Sequence, residues 1–160
     1  MVYFPRVQIS LGPRPGKKSI KRLQDLNLTH CCTLLSEREG APLIAKVCAQ
    51  LGTAERPCEW VWLPIEGGNQ EVLRQTDILS LVENLREAIA NTPDVHIYLH
   101  CSAGIHRTGF FAYILLRLMG HDSAAALGEL ADLRHVTSNQ VGEERIELAD
   151  EFVASLATAQ

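Results

Sequence analysis

Short apolar runs alternate with segments of helical hydrophobic period along this chain, and this alternation constrains the fold more than any other feature. Four runs predict buried strands, at 7–11, 29–35, 58–65 and 95–100. Apolar residues three or four apart predict helices, at 17–26, 41–51, 71–90, 108–119, 123–133 and 143–156. Parallel strands need a crossover connection between them, which is usually a helix. We therefore expect one α/β domain over residues 1–160, with a central, mostly parallel sheet of four to five strands flanked by helices on both faces.

Composition excludes several classes of protein. With 46% hydrophobic residues the chain is too apolar to stay disordered, and 160 residues suffice for one domain with a core. No apolar run reaches the roughly 18 residues that a membrane-spanning helix needs. The formal charge of −4 provides no general attraction for nucleic acid or for an anionic membrane. Any anionic ligand must therefore be held by a local site.

The cysteines and the first residues complete this picture. Residues 1–6 lack the basic cluster and long apolar stretch of a secretory signal, so we expect a cytoplasmic protein. We also expect a monomer. The five cysteines are odd in number and none has C-x-x-C spacing, which favours free thiols. His96 and His100 share one face of a strand without further ligand spacing, so we expect no metal site.

The junction between the strand at 95–100 and the helix at 108–119 reads HCSAGIHRT, from His100 to Thr108. In open α/β sheets, ligands bind beyond the carboxyl ends of the strands. Inward-facing N–H groups of such a loop, together with the positive end of the helix, form an oxyanion site. Arg107 adds a planar two-pronged donor, and Gly104 lets the backbone turn without obstruction. The same surroundings lower the pKa of the Cys101 thiol below its ordinary value of about 8.5 and make it a nucleophile.

This string resembles the signature of the cysteine-dependent tyrosine and dual-specificity phosphatases, which is His-Cys, five residues, Arg and then Ser or Thr. The resemblance implies that Cys101 attacks phosphorus and carries a phosphocysteine, and that Arg107 clamps the phosphate oxygens. It also implies that Thr108 bonds the thiolate and eases its departure, and that His100 orients the loop. The phosphate-binding residues are then Arg107 and the loop residues Ser102, Ala103, Gly104, Ile105 and His106. This chemistry needs no metal and no cofactor.

The general acid departs from the family pattern. Relatives usually supply an Asp from a mobile loop, a few tens of residues before the cysteine. The corresponding loop here, residues 63–69, has no Asp, and its one carboxylate is Glu66, 35 positions before Cys101. We therefore expect Glu66 to be the acid. Asp77, inside the predicted helix at 71–90, and the absence of any protein acid are the alternatives.

Three further features are candidates for the site. Asn139 and Gln140 match a segment in which relatives position the hydrolytic water, although a polar helix cap before Glu143 explains them equally well. Arg38 follows the end of a strand and is a candidate contact to substrate. A disulfide partner for Cys101, either Cys58 or Cys32, is a further hypothesis.

The expected function is that of a phosphomonoesterase acting on phosphotyrosine, phosphoserine or phosphothreonine in proteins. His106 before Arg107 resembles the fungal and plant inositol-pyrophosphate phosphatases, although Ala103 or Ile105 replaces their extra loop lysine. Inositol phosphates or 5′-phosphorylated RNA are thus alternative substrates. A phosphate-binding module with weak turnover is another alternative, because the usual Asp is missing. We expect a phosphorylated protein or small molecule as partner, no membrane, and no nucleic acid beyond a phosphorylated end.

Overall fold

The computed structural model describes residues 2–158 and contains a four-stranded parallel sheet. The strands are β1 (Gln8–Gly12), β2 (His30–Thr33), β3 (Glu59–Trp62) and β4 (His96–His100). Their order in the sheet is β1-β4-β2-β3, and all three neighbouring pairs are parallel. The α/β class and the parallel sheet predicted from the sequence are confirmed.

The helices follow the predicted alternation with shifted bounds. They are α1 (Ile20–Gln24), α2 (Ala41–Cys48), α3 (Gln70–Gln75), α4 (Ile78–Ile89), α5 (His106–Leu118), α6 (Ser123–Leu133), α7 (His135–Gln140) and α8 (Glu143–Thr158), with a 3₁₀ turn at Glu37–Glu39. The sequence pattern does not predict α7. Among residues 2–158, no helix is both long enough and apolar enough to cross a membrane.

The predicted single helix at 71–90 is wrong, because the chain forms two helices there. Asn69 caps α3 by accepting a hydrogen bond from the backbone N–H of Val72 at 2.9 Å. Thr76 is extended, and the Asp77 side chain then caps α4 by accepting from the backbone N–H of Ser80 at 3.2 Å. Asp side chains favour such caps over helix interiors because they satisfy the free N–H groups of the first turn. Asp77 therefore begins a helix and does not lie within one.

Two apolar layers cover the two faces of the sheet. Successive side chains of a strand point to opposite faces, so Cys31 belongs to one layer and Cys32 to the other. Leu23 of α1 and Ile44 of α2 belong to the first layer, while α4 and α5 supply much of the second. α5 is buried along nearly its whole length, from Arg107 to Leu118. The helix that follows the HCSAGIHRT loop is thus fixed at the centre of the molecule.

Candidate active site

Cys101 lies directly after β4, which occupies an interior position in the sheet between β1 and β2. Five loop residues separate the end of β4 from the start of α5 at His106. This strand–loop–helix junction opens at the carboxyl edge of a parallel sheet, where the segments after β2 and β3 also arrive. The thiol of Cys101 is buried at this position.

Each backbone carbonyl of the loop 101–105 accepts a hydrogen bond from a donor outside the loop. The donors, in order along the loop, are His100 Nδ1 to Cys101 (2.9 Å), Arg14 N to Ser102 (3.0 Å), Arg134 Nη1 to Ala103 (3.1 Å), Thr137 Oγ1 to Gly104 (2.6 Å) and Gly109 N to Ile105 (2.8 Å). The described residues contain no cis peptide bond, so each N–H points away from the carbonyl of its own peptide unit. Carbonyls held outward therefore turn the loop amides inward. The result is a concave ring of N–H groups of the kind that binds oxyanions.

Gly104 is the residue that permits the turn. Its φ of +72° lies in the left-handed region, where a Cβ costs energy. A Cβ at this position would also lie 2.1 Å from the carbonyl oxygen of Gly12, the last residue of the neighbouring strand β1. Only glycine fits both conditions.

The ring lowers the pKa of Cys101. Burial raises the pKa, but hydrogen bonds from the Thr108 side chain and from the amides of Thr108, Ile105 and Gly104 outweigh it. The Thr108 hydroxyl donates to Sγ at 3.1 Å. Because these donors stabilise the anion, the thiol is a stronger nucleophile near neutral pH than an ordinary cysteine.

Glu39 holds Arg107 through a two-pronged ion pair that the sequence analysis does not identify. Glu39 Oε1 accepts from Arg107 Nη1 at 2.7 Å, and Oε2 accepts from Nη2 at 2.8 Å. Nη1 also donates to the carbonyl oxygens of Leu34 (3.3 Å) and Ile65 (2.9 Å). The hydrogen bonds from Arg107 lower the pKa of Glu39 to about 2 despite partial burial. One signal in the sequence points to Glu39: Ser36-x-x-Glu39 is a capping box, and the structure contains it.

His100 is fully buried behind the loop. Burial lowers its pKa to about 4, so the ring is neutral near pH 7. A carbonyl oxygen can only accept, so the ring donates to Cys101 O through Nδ1–H. Its tautomer is therefore defined by the structure.

The comparisons with known proteins agree with this geometry. Residues 14–132 match the sequence profile of a tyrosine phosphatase family. This chain belongs to that family. Its HCSAGIHRT signature is that of the cysteine-dependent tyrosine and dual-specificity phosphatases, and membership supports phosphatase activity on phosphorylated substrates. No curated protein sequence matches the chain significantly.

Several solved structures share the fold of this family member. A mutant form of Tk-PTP is 18% identical with a TM-score of 0.67, and the match covers 99% of this chain and 97% of that one. PTPMT1 in complex with PI(5)P is 18% identical with a TM-score of 0.62, covering 94% and 93%. P. aeruginosa TpbA in complex with pTyr is 21% identical with a TM-score of 0.52, covering 92% and 86%. At these identities the likeness concerns the fold.

The loop after β3 lies against the start of α5. The carbonyl of Ile65 bonds Arg107, and a Cβ on Gly68 would lie 3.1 Å from the Cβ of His106. Glu66 is the residue after Ile65, and its side chain is 67% exposed, 4.0 Å from the guanidinium of Arg38. The structure thus brings these two predicted residues within ion-pair distance of each other. Their roles stay predictions. Asp77, the alternative acid, is used as the cap of α4.

The segment at 134–140 braces the loop through different residues from those predicted. Arg134 and Thr137 donate to the loop carbonyls, while the side chains of Asn139 and Gln140 are exposed near the end of α7. A Cβ on Gly109 would lie 3.2 Å from the Thr137 side chain and 2.7 Å from that of Val141, which follows α7, so this part of the chain packs tightly against α5. The role of Asn139 and Gln140 in positioning water stays a prediction.

The other four cysteines are buried free thiols. They are Cys31, Cys32, Cys48 and Cys58. The Sγ atoms of Cys48 and Cys58 are 3.8 Å apart, so Cys58 has a thiol neighbour other than Cys101. A disulfide partner for Cys101 stays a hypothesis. Within residues 2–158, no group of three or more His, Cys, Asp or Glu side chains is arranged to hold a metal ion.

Proposed function

We propose that this chain hydrolyses phosphomonoesters in two steps through a phosphocysteine on Cys101. The observation that carries the proposal is the thiol inside a ring of inward amides, beside an arginine that Glu39 holds in place. A negatively charged phosphate replaces water in this ring, and donors already oriented need no reorganisation when charge develops in the transition state.

In the first step the Cys101 thiolate attacks phosphorus, an S–P bond forms and the ester P–O bond breaks. The leaving oxygen takes the bonding electrons and a proton from Glu66. In the second step a water molecule attacks phosphorus, the S–P bond breaks and its electrons return to Sγ, where the Thr108 hydroxyl stabilises the thiolate. The proton of the water returns to Glu66, and inorganic phosphate leaves. Each step uses the same group in opposite protonation states.

The favoured substrate is phosphotyrosine in proteins. Glu66 is 67% exposed, and the charged group beside it is Arg38, which is 86% exposed, so the acid is not fixed against the leaving group. A phenolate leaves with little protonation, whereas a serine or threonine alkoxide depends on the acid. An acid of this kind therefore favours aryl phosphates. TpbA, which shares the fold, is known in complex with pTyr.

A second candidate substrate is an inositol phosphate or phosphoinositide headgroup. The observation that favours it is a cluster of cations at the loop in a chain of net charge −4. Arg38 is 86% exposed beside Glu66, Arg134 donates to the loop carbonyls from outside the ring, and Arg145 donates to Gly68 O at 2.7 Å. Several cations around one phosphate site suit a ligand that carries further phosphates. PTPMT1 shares the fold and is known in complex with PI(5)P.

A substrate panel with purified wild type and Cys101→Ser tests the proposal. We expect wild type to release phenolate from p-nitrophenyl phosphate, to prefer phosphotyrosine over phosphoserine peptides, and to lose this turnover in Cys101→Ser. Inositol phosphates in the same panel decide between the two substrate classes by kcat/KM. If wild type and Cys101→Ser are equally inactive but both bind phosphotyrosine peptide, the chain is a phosphate-binding module and the catalytic proposal fails.

A further inference from the structure

A continuous chain of hydrogen bonds crosses the sheet and ends on the loop that holds Cys101. Trp60 Nε1 lies 2.9 Å from Thr33 Oγ1, and Thr33 Oγ1 lies 2.7 Å from His100 Nε2. His100 Nδ1 in turn lies 2.9 Å from the carbonyl oxygen of Cys101. These residues belong to β3, β2 and β4, which are neighbours in the sheet.

The direction of every bond in this chain is fixed by the chemistry of its ends. The indole N–H of Trp60 can only donate, so Thr33 Oγ1 accepts from it. The Cys101 carbonyl can only accept, so His100 donates through Nδ1 and its neutral ring leaves Nε2 as an acceptor. The Thr33 hydroxyl must therefore donate to Nε2. Each group has one possible role, and the tautomer of His100 follows from its neighbours.

Burial makes this chain costly to break. Thr33 and His100 are inaccessible to solvent, and Trp60 is half-buried. Without the Thr33 hydroxyl, the Nε2 lone pair of His100 would lose its hydrogen bond in a place that bulk water does not reach. The ring could then turn or move its proton to Nε2. Either change releases the Cys101 carbonyl from Nδ1.

We propose that Thr33 and Trp60 are positioning residues for the phosphate-binding loop, acting through His100 on the peptide unit between Cys101 and Ser102. In that trans peptide the Ser102 N–H points opposite to the Cys101 carbonyl. Holding the carbonyl outward therefore holds the Ser102 N–H toward the phosphate site. This inference rests on the proposed function, since it assigns a purpose to one amide of the proposed oxyanion ring.

The test compares Thr33→Val, which removes the hydroxyl and keeps the shape, with Thr33→Ser, which keeps the hydroxyl. The matched control is Thr29→Val. Thr29 is also buried, directly before β2, and its hydroxyl lies 2.7 Å from Nδ1 of a histidine, His30. Its other hydrogen bonds go to the backbone of His96 at the start of β4, at the opposite end of that strand from the loop. Trp60→Phe removes the indole N–H from the other end of the chain and leaves an aromatic ring beside Trp62.

The readouts are the inhibition constant for vanadate, KM and kcat for p-nitrophenyl phosphate, and the ¹⁵N chemical shifts of the His100 ring. We expect Thr33→Val to weaken vanadate binding about tenfold and to change the ring shifts, because one donor of the ring is misoriented. Thr33→Ser should stay within about twofold of wild type, and Trp60→Phe should weaken vanadate binding about threefold. Thr29→Val should bind vanadate as wild type does.

Two results overturn the inference: unchanged vanadate affinity in folded Thr33→Val, or an equal loss in Thr29→Val. If Thr33→Val does not fold, unchanged affinity and unchanged His100 shifts in Trp60→Phe overturn it instead. Failure of the proposed function looks different. In that case wild type itself neither binds vanadate nor turns over p-nitrophenyl phosphate, whatever the variants do.

Discussion

Glu39→Gln removes the charge that holds Arg107 in place. Glutamine keeps one oxygen but offers its NH₂ group to the guanidinium where the second oxygen stood. One charge-assisted hydrogen bond is then replaced by two donors that face each other. Nη1 keeps its bonds to the Leu34 and Ile65 carbonyls, so Arg107 stays in the pocket with Nη2 unpaired.

The size of the effect follows from the burial of the pair. The Arg107 side chain is 10% exposed and that of Glu39 is 32% exposed. A surface pair contributes roughly 0–1 kcal/mol. Removing one partner of a fully buried pair costs roughly 3–5 kcal/mol. For this intermediate pair we expect about 2 kcal/mol, or about a 30-fold loss of kcat/KM.

The assay is kcat/KM for p-nitrophenyl phosphate, with the midpoint of urea unfolding measured alongside. The matched control is Glu37→Gln, which changes an exposed glutamate of the same 3₁₀ turn and should leave both values unchanged. If folded Glu39→Gln keeps kcat/KM within threefold of wild type, the ion pair does not position Arg107 and the reasoning is refuted.

The same pair predicts an acid dependence of stability. The folded pKa of Glu39 is about 2, below the roughly 4.3 of an unfolded glutamate. A lowered pKa contributes stability that is complete above pH 4.3 and is lost as the pH falls toward 2. Urea midpoints at pH 6 and pH 3 should therefore differ less in Glu39→Gln than in wild type. An equal difference in both proteins would contradict this assignment.

Three other predictions concern single side chains. Glu66→Gln should flatten the alkaline limb of the rate–pH profile and slow the hydrolysis of phosphoserine peptides more than that of aryl phosphates, while Asp77→Asn should leave the profile unchanged. Equal profiles for wild type and Glu66→Gln would exclude Glu66 as the acid. Gly104→Ala should abolish vanadate binding, because the added Cβ would lie 2.1 Å from the backbone of Gly12; normal vanadate binding would contradict the close approach. The control Gly128→Ala, in open space on α6, should raise the free energy of unfolding in urea by about 0.5–1 kcal/mol. Thr137→Val should weaken vanadate binding about tenfold, because it removes the shorter of the two hydrogen bonds on the Gly104 carbonyl and leaves only the one from Arg134; unchanged binding would show that the Thr137 bond is dispensable.

Most of the fold follows from local pattern in the sequence. The strands and most helices are visible because their apolar residues recur at the period that burial requires. The break between α3 and α4 is missed because the apolar spacing continues across it. There the Asp77 side chain accepts a hydrogen bond from the first turn of α4 and so starts a new helix. A cap acts over one turn only, and a hydrophobic pattern read over several turns does not reveal it.

The candidate site is likewise predictable only where its residues lie close together in the sequence. Cys101 and Arg107 lie in one short string whose order on strand, loop and helix defines their geometry. Glu39 lies 68 positions from Arg107, and Thr137 lies 33 positions from the carbonyl of Gly104. Such contacts depend on where β2 ends and how tightly α5 packs, which a local pattern does not contain. Thr33 is a further example, since in the sequence it is one polar residue in a buried strand.

The pH dependence of Cys101 alkylation by iodoacetamide, followed peptide by peptide with mass spectrometry, is the measurement that tests the central claim most directly. We predict that alkylation of Cys101 reaches half its maximal rate below the pKa of about 8.5 of an ordinary thiol, and that vanadate protects it. A midpoint at or above that value, without protection by vanadate, would contradict the claim that the loop amides and Arg107 ionise this thiol for catalysis.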